Sequence, residues 1–147
     1  MKKLNIVLAA LLGLAVLSAQ ADTTNAEKLA KKYVGIAKSV NPEYKGTSVF
    51  DGKLFYNRKI KLGNSKETSC ASCHSANPAD LGKHIVTGKA IKPLSPVVNP
   101  NRFTDLDKVE DQFTQHCNDI IGTDCAAKEK ADYIAYVMTE KTPTAKK

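Results

Sequence analysis

The sequence predicts an all-α fold: three main helices joined by long extended loops. Apolar residues recur at helical spacing in three separate stretches, 24–40, 104–118 and 126–140. Between residues 75 and 101 the chain has little periodicity and is punctuated by Pro78, Pro93, Pro96, Pro100, Gly82 and Gly88. There is no internal repeat, and no linker long enough to separate two domains, so one domain is expected.

The chain opens on a leader rather than on the fold. Met1-Lys2-Lys3 is a positive start, residues 4–17 form an apolar run, and Ala19-Gln20-Ala21 has the small-x-small pattern of a signal-peptidase site. Cleavage is expected after Ala21, leaving a mature domain over 22–147. The apolar run is shorter than the roughly 20 residues a spanning helix needs. No cysteine sits at the cut to take a lipid, and no later stretch could span a bilayer, so the mature form is expected off the membrane, in the periplasm. The whole chain carries a net charge of +7, and loss of Lys2 and Lys3 with the leader brings it to about +5. The cations are scattered along the sequence, which suits either a plain soluble surface or a face that steers an acidic redox partner. Nucleic acid is excluded as a partner for an exported chain with no binding motif.

The first helix is predicted over 24–40. Thr24 followed by Glu27 reads as a capping box. Ala26, Leu29, Ala30, Tyr33, Val34, Ala37 and Val40 form its apolar face, and Asn41-Pro42 stops it. Residues 51–57 (DGKLFYN) read as a short helical turn, followed by a polar, turn-rich stretch over 59–69 containing Gly63-Asn64. The second long helix is predicted over 104–118, with Thr104 as N-cap and Asp105, Asp107 and Glu110 suited to a positive helix start. Leu106, Val109, Phe113 and Cys117 form its stripe. After a turn at Gly122 the third helix is predicted over 126–140. Ala127, Ala131, Ile134, Ala135 and Met138 lie on one side of it, with Tyr133 and Val137 beside them. Thr142-Pro143 ends it, and the Lys-rich tail is expected to fray.

Cys70-Ala71-Ser72-Cys73-His74 carries the chemistry. Cysteines at this spacing can add across the two vinyl groups of a haem, and the histidine that follows is then held at the iron; C-x-x-C-H is the attachment pattern of haem c. A thioredoxin-like pair would need a strand–helix context that is missing. A zinc site would need a second closely spaced pair, which Cys117 and Cys125 do not provide. One such motif means one covalent haem, and the long unperiodic segment is then what wraps a large apolar plate. Cys117 and Cys125, left over in an oxidising compartment, are expected to pair as a disulfide.

The ligand on the far side of a haem decides its behaviour. The candidates are His84, His116 and Met138, or no protein ligand. Met138 sits at core spacing in the last helix. His84 follows His74 too closely to cross the haem easily and reads as a surface or haem-edge residue. His116, at the border of the stripe formed by Phe113 and Cys117, is favoured by pattern, although a satisfied core histidine would look the same.

The stretches NAEKLAKKY, CASCHSANPA, IVTGK, RFTDLDKVEDQFTQHCNDIIG and EKADYIAYV resemble the cytochrome c″ family over nearly all of the mature chain. That family is a variant of the class I cytochromes c, related to the oxygen-binding haem protein SHP. The resemblance implies a class I cytochrome c-like fold. It implies two histidine ligands in the oxidised state, the distal one matching His116, followed by a disulfide matching Cys117 and Cys125. It further implies that the distal histidine leaves the iron on reduction and takes up a proton. In SHP relatives an asparagine stands at the position of His116. The function expected is electron transfer by a monomer with redox protein partners. Binding of NO or O2 to the ferrous haem is a second class. Enzymatic turnover, for which no acid–base pair stands out, is a third.

Overall fold

The computed structural model describes residues 20–63 and 65–144. Most of the expected leader lies outside the described residues. Five helices, α1 (Gln20–Val40), α2 (Val49–Asn57), α3 (Cys70–His74), α4 (Leu106–Ile121) and α5 (Ala127–Thr139), are joined by extended chain. Two two-residue strands, β1 (Gly82–Lys83) and β2 (Ala90–Ile91), interrupt that chain. The strands pair antiparallel, Gly82 opposite Ile91. They are a small addition to an otherwise helical fold, inside the stretch that lacks helical periodicity.

α1 is already running at Gln20, so Thr24 lies inside the helix and is not its N-cap. Gln20-Ala21-Asp22-Thr23 contains neither glycine nor proline, and nothing local stops the helix from extending backwards. Its buried face is Ala26, Leu29, Ala30, Tyr33 and Ala37, as the spacing predicts, whereas Val40 at the terminus is 82% exposed. α2 starts two residues earlier than DGKLFYN. Ser48 caps it by accepting from the Asp51 amide at 3.1 Å. α4 is capped by Asp105, whose carboxylate accepts from the Lys108 amide at 3.1 Å. Thr104, the expected cap, instead donates its hydroxyl to the Asn101 carbonyl at 3.0 Å. An ionised acceptor at a helix N-terminus gains from both the hydrogen bond and the helix dipole. α4 continues to Ile121 and stops at Gly122, whose φ of 85° is the left-handed conformation glycine adopts without strain.

α5 is the axis of the molecule, with α1 and α2 both packed on it. Residues 130–137 are all buried, so the helix is enclosed on every side over two turns and not along one face. Two features make this possible. Gly52 of α2 lies so close to the backbone carbonyl of Asp132 that a Cβ there would collide with it. Asp132, 1% exposed, is in turn satisfied by the Tyr44 hydroxyl (3.1 Å), the Ser48 amide (2.7 Å) and the Lys128 ammonium (2.6 Å). α4 joins the same core through Val109, Phe113 and Cys117. The Phe113 ring meets Tyr133 edge-on at 5.2 Å and Tyr33 at 6.0 Å. The tail is tied down as far as Thr144, which donates its amide to Asp80 at 2.6 Å, while Asn77 donates to the Thr142 carbonyl at 3.0 Å. The expected fraying does not extend to these residues.

Candidate haem site

The single turn α3 puts Cys70 and Cys73 three residues apart on one helical face, both as free thiols. Ser69 and Ser72 close the turn at its start: the Ser69 amide donates to the Ser72 hydroxyl at 3.0 Å. The bridge Ile60–Thr68 then steers the polar 59–69 stretch into it. Burial pushes the Cys70 thiol up to about 11, so it is a protonated, apolar thiol at neutral pH.

His74 ends the turn, and the chain leaves it through Ser75 at φ 69°, ψ 161°. That backbone conformation costs a residue with a side chain on the order of 1–3 kcal/mol and persists only where the surroundings impose it. The surroundings do so here. The Tyr56 hydroxyl donates to both the His74 carbonyl (3.1 Å) and the Ser75 carbonyl (2.6 Å). Gly82 of β1 also lies against the Cys73 carbonyl and the His74 Cα, where any Cβ would clash. Burial, then His116, then Arg102 lower the His74 pKa to about 4, so its imidazole is neutral and able to bind a metal. Its Nδ1 is buried and has no hydrogen-bond partner among the described residues.

His116 faces it from α4. The two imidazole centres are 6.2 Å apart, with ring planes inclined at 68°. A metal–nitrogen bond of about 2 Å to each ring, plus the ring radius behind each nitrogen, puts two imidazoles sharing one metal about 6 Å apart. The thiols, the neutral buried imidazole and this spacing therefore fit a haem iron held between His74 and His116. Burial also lowers the His116 pKa; Asp119 raises it, and Arg102 and His84 lower it. His116 nonetheless sits in an exposed stretch of α4, while His74 is half-buried. The next residue, Cys117, is joined to Cys125 with Cα atoms 5.5 Å apart. The loop between them is anchored at Asp124, which accepts from the Cys125 amide (2.8 Å) and from the buried Lys130 ammonium (2.9 Å).

The other two candidates lie elsewhere. His84 is exposed, its Nδ1 accepting from the Val86 and Thr87 amides at 3.2 and 3.1 Å. Met138 is partly buried against the core. Sequence reasoning passed over Arg102, Gly82 and the role of Tyr56. A glycine shortly after C-x-x-C-H and a tyrosine before it were the visible signals, but neither names its contact.

Known proteins resemble this chain in sequence and in fold. A family model described as a domain of unknown function (DUF1924) covers residues 42–137. Cytochrome c″ of Methylophilus methylotrophus is 62% identical over 126 residues, 86% of this chain and 88% of that protein. The crystal structure of its oxidised form covers 84% of this chain and 100% of its own, with a TM-score of 0.80. A solution structure of the same protein, concerned with haem-ligand detachment, has a TM-score of 0.78 at 61% identity, with the same coverage. Oxidised SHP, an oxygen-binding cytochrome c, is 30% identical, with a TM-score of 0.64 over 75% of this chain and 96% of its own. The chain belongs to the cytochrome c″ family, and as a c-type cytochrome it has haem c as its cofactor.

Proposed function

We propose that this chain is a periplasmic, monomeric electron carrier in which release of one iron ligand couples electron uptake to proton uptake. Residues 1–21 act as a cleaved export leader and 22–147 as the monohaem domain. Among the described residues no helix is long and apolar enough to cross a membrane. The observation that carries the reading is the His74–His116 pair, with centres 6.2 Å apart.

Cys70 and Cys73 would hold the haem through two thioethers, with His74 as proximal ligand and, in the ferric state, His116 as distal ligand of its iron. The haem supplies a one-electron ferric/ferrous couple. With that electron added, an imidazole would be held less tightly, and His116 would be the one to move off. While it stays in the site, burial keeps its pKa low. Moving toward water returns it toward the ordinary value of about 6.5, where it takes up a proton near neutral pH. The disulfide pins the chain immediately after His116 and limits how far the freed imidazole travels.

Absorption and EPR spectra of the purified protein test this. The ferric form should be low-spin and the ferrous form high-spin at neutral pH; a low-spin ferrous spectrum would remove ligand release from the account.

A second reading is binding of O2 or NO at the ferrous haem on the side His116 leaves. Its support is the likeness to an oxygen-binding cytochrome c. Rapid, tight binding of either gas to the ferrous protein at micromolar concentration would favour it, and failure to bind would discard it.

A further inference from the structure

The weakening of an iron–imidazole bond on reduction acts on both axial ligands alike, so something in the protein must choose which imidazole departs. We propose that Tyr56 is the positioning residue that makes this choice: its hydroxyl holds the exit of the CASCH turn so that His74 stays while His116 goes. The inference rests on the release of His116 proposed above and adds the reason for its direction.

Tyr56 is fully buried on α2. Its ring packs against Tyr136 (5.5 Å) and Tyr133 (6.2 Å) of α5. A buried tyrosine hydroxyl needs a polar partner, and this one has two. Its single proton is shared between the carbonyl oxygens of His74 (3.1 Å) and Ser75 (2.6 Å), which belong to consecutive peptides. Those carbonyls flank the one non-glycine residue with positive φ among the described residues, Ser75. A serine held where glycine would be at ease shows that the turn is set by its surroundings and not by local preference. The Gly82 backbone also lies against the Cys73 carbonyl and the His74 Cα, so closely that a Cβ there would collide with them.

His74 is thus held by two buried neighbours, Tyr56 and Gly82. Among the described residues the His116 backbone has no comparable pair: the disulfide ties the neighbouring Cys117 to Cys125 and leaves His116 itself in an exposed stretch of α4. That helix is fixed to the core through Val109, Phe113 and Cys117. Weakening both bonds by the same amount releases the imidazole whose mount can move.

The test isolates the proximal ligand. In holoprotein carrying H116A, His74 is the remaining protein ligand, whether or not His116 leaves the wild-type iron. The ferrous iron–imidazole stretching band and the rate at which excess NO displaces His74 are compared between H116A and Y56F/H116A. Removing the hydroxyl should shift the band to lower frequency, broaden it, and speed displacement at least tenfold. Identical bands and rates would overturn the proposal, even if Y56F lowers the unfolding temperature, because that outcome makes Tyr56 a packing residue only. If Y56F/H116A does not accumulate as folded holoprotein, Y56F/S75G/H116A is compared with S75G/H116A. Glycine tolerates the turn's backbone, so the pair should fold. Displacement faster by threefold or more supports the role, and equal rates overturn it. A low-spin ferrous spectrum of the unsubstituted protein would remove the release reading and leave the proximal result standing.

Discussion

The two sides of the imidazole pair are built in opposite ways. The proximal side is a five-residue turn that could not be stable alone. Its geometry comes from what presses on it: Tyr56, Gly82 and the capping serines. The distal side is a sixteen-residue helix with its own N-cap and a left-handed glycine stop, stable by local rules and attached to the core along one stripe and by the Cys117–Cys125 link. A turn held by its neighbours cannot shift without breaking buried contacts. A helix held along a stripe can tilt or slide while keeping its internal hydrogen bonds. On the proposed reading, a one-electron change at the shared centre is expressed on the helix side. The asymmetry is mechanical, and it can be broken from either end.

The largest effect is expected from H116A, which removes the distal member altogether. The ferric form should change from low-spin to high-spin or water-ligated, as read by absorption and EPR. The same variant should abolish the pH dependence of the reduction potential near neutrality. If His116 is released as proposed, the ferric state of the unsubstituted protein holds it at the iron and cannot protonate it, while the ferrous state can. Lower pH therefore favours reduction, and the potential should fall as pH rises, by up to about 59 mV per unit, flattening above the pKa of the released imidazole. A pH-independent potential in the unsubstituted protein would sink the coupling.

Next comes the tether. Replacing Cys117 and Cys125 together by serine opens a link spanning eight positions and should cost about 2–3 kcal/mol in denaturant unfolding. The freed histidine should also rebind more slowly on reoxidation, measured by stopped flow, because a looser chain lets it wander further.

G82A strikes the proximal mount. The added methyl meets the Cys73 carbonyl, and overpacking of this kind costs about 1–3 kcal/mol. Its signature should be a perturbed proximal bond with distal release intact. If distal release is the property that changes, the two sides are not mechanically separate. The smallest effect belongs to E110Q, which loses the partly exposed Lys32–Glu110 pair between α1 and α4 (2.6 Å). Less than about 1 kcal/mol is expected in unfolding. A larger shift would mean that α4 is fastened to α1 more firmly than its stripe implies.

How much of this was legible in the sequence differs between the two sides in the same way. The distal helix could be read closely because its determinants are local. Apolar spacing fixed its inner face and an acidic first turn marked its start to within two residues, whereas the end expected near 118 fell short of Ile121. The proximal mount was only half legible. C-x-x-C-H announced the attachment chemistry, but the pattern says nothing of Ser75's backbone or of the hydroxyl that imposes it. Tyr56 looked like one more apolar residue of DGKLFYN. Arg102, which lowers the pKa of both imidazoles, carried no motif.

By itself the sequence determined the haem chemistry, the helical class, the cysteine pair and the candidate distal histidine, because each depends on residue type and short spacing along the chain. Only the tertiary structure decided that α5 is enclosed on all sides, that Asp105 and not Thr104 caps α4, and that Tyr56 and Gly82 both press on the His74 turn. Those outcomes depend on groups distant in sequence meeting at a few ångströms, and on the exchange of solvent for specific buried partners, which no local spacing encodes.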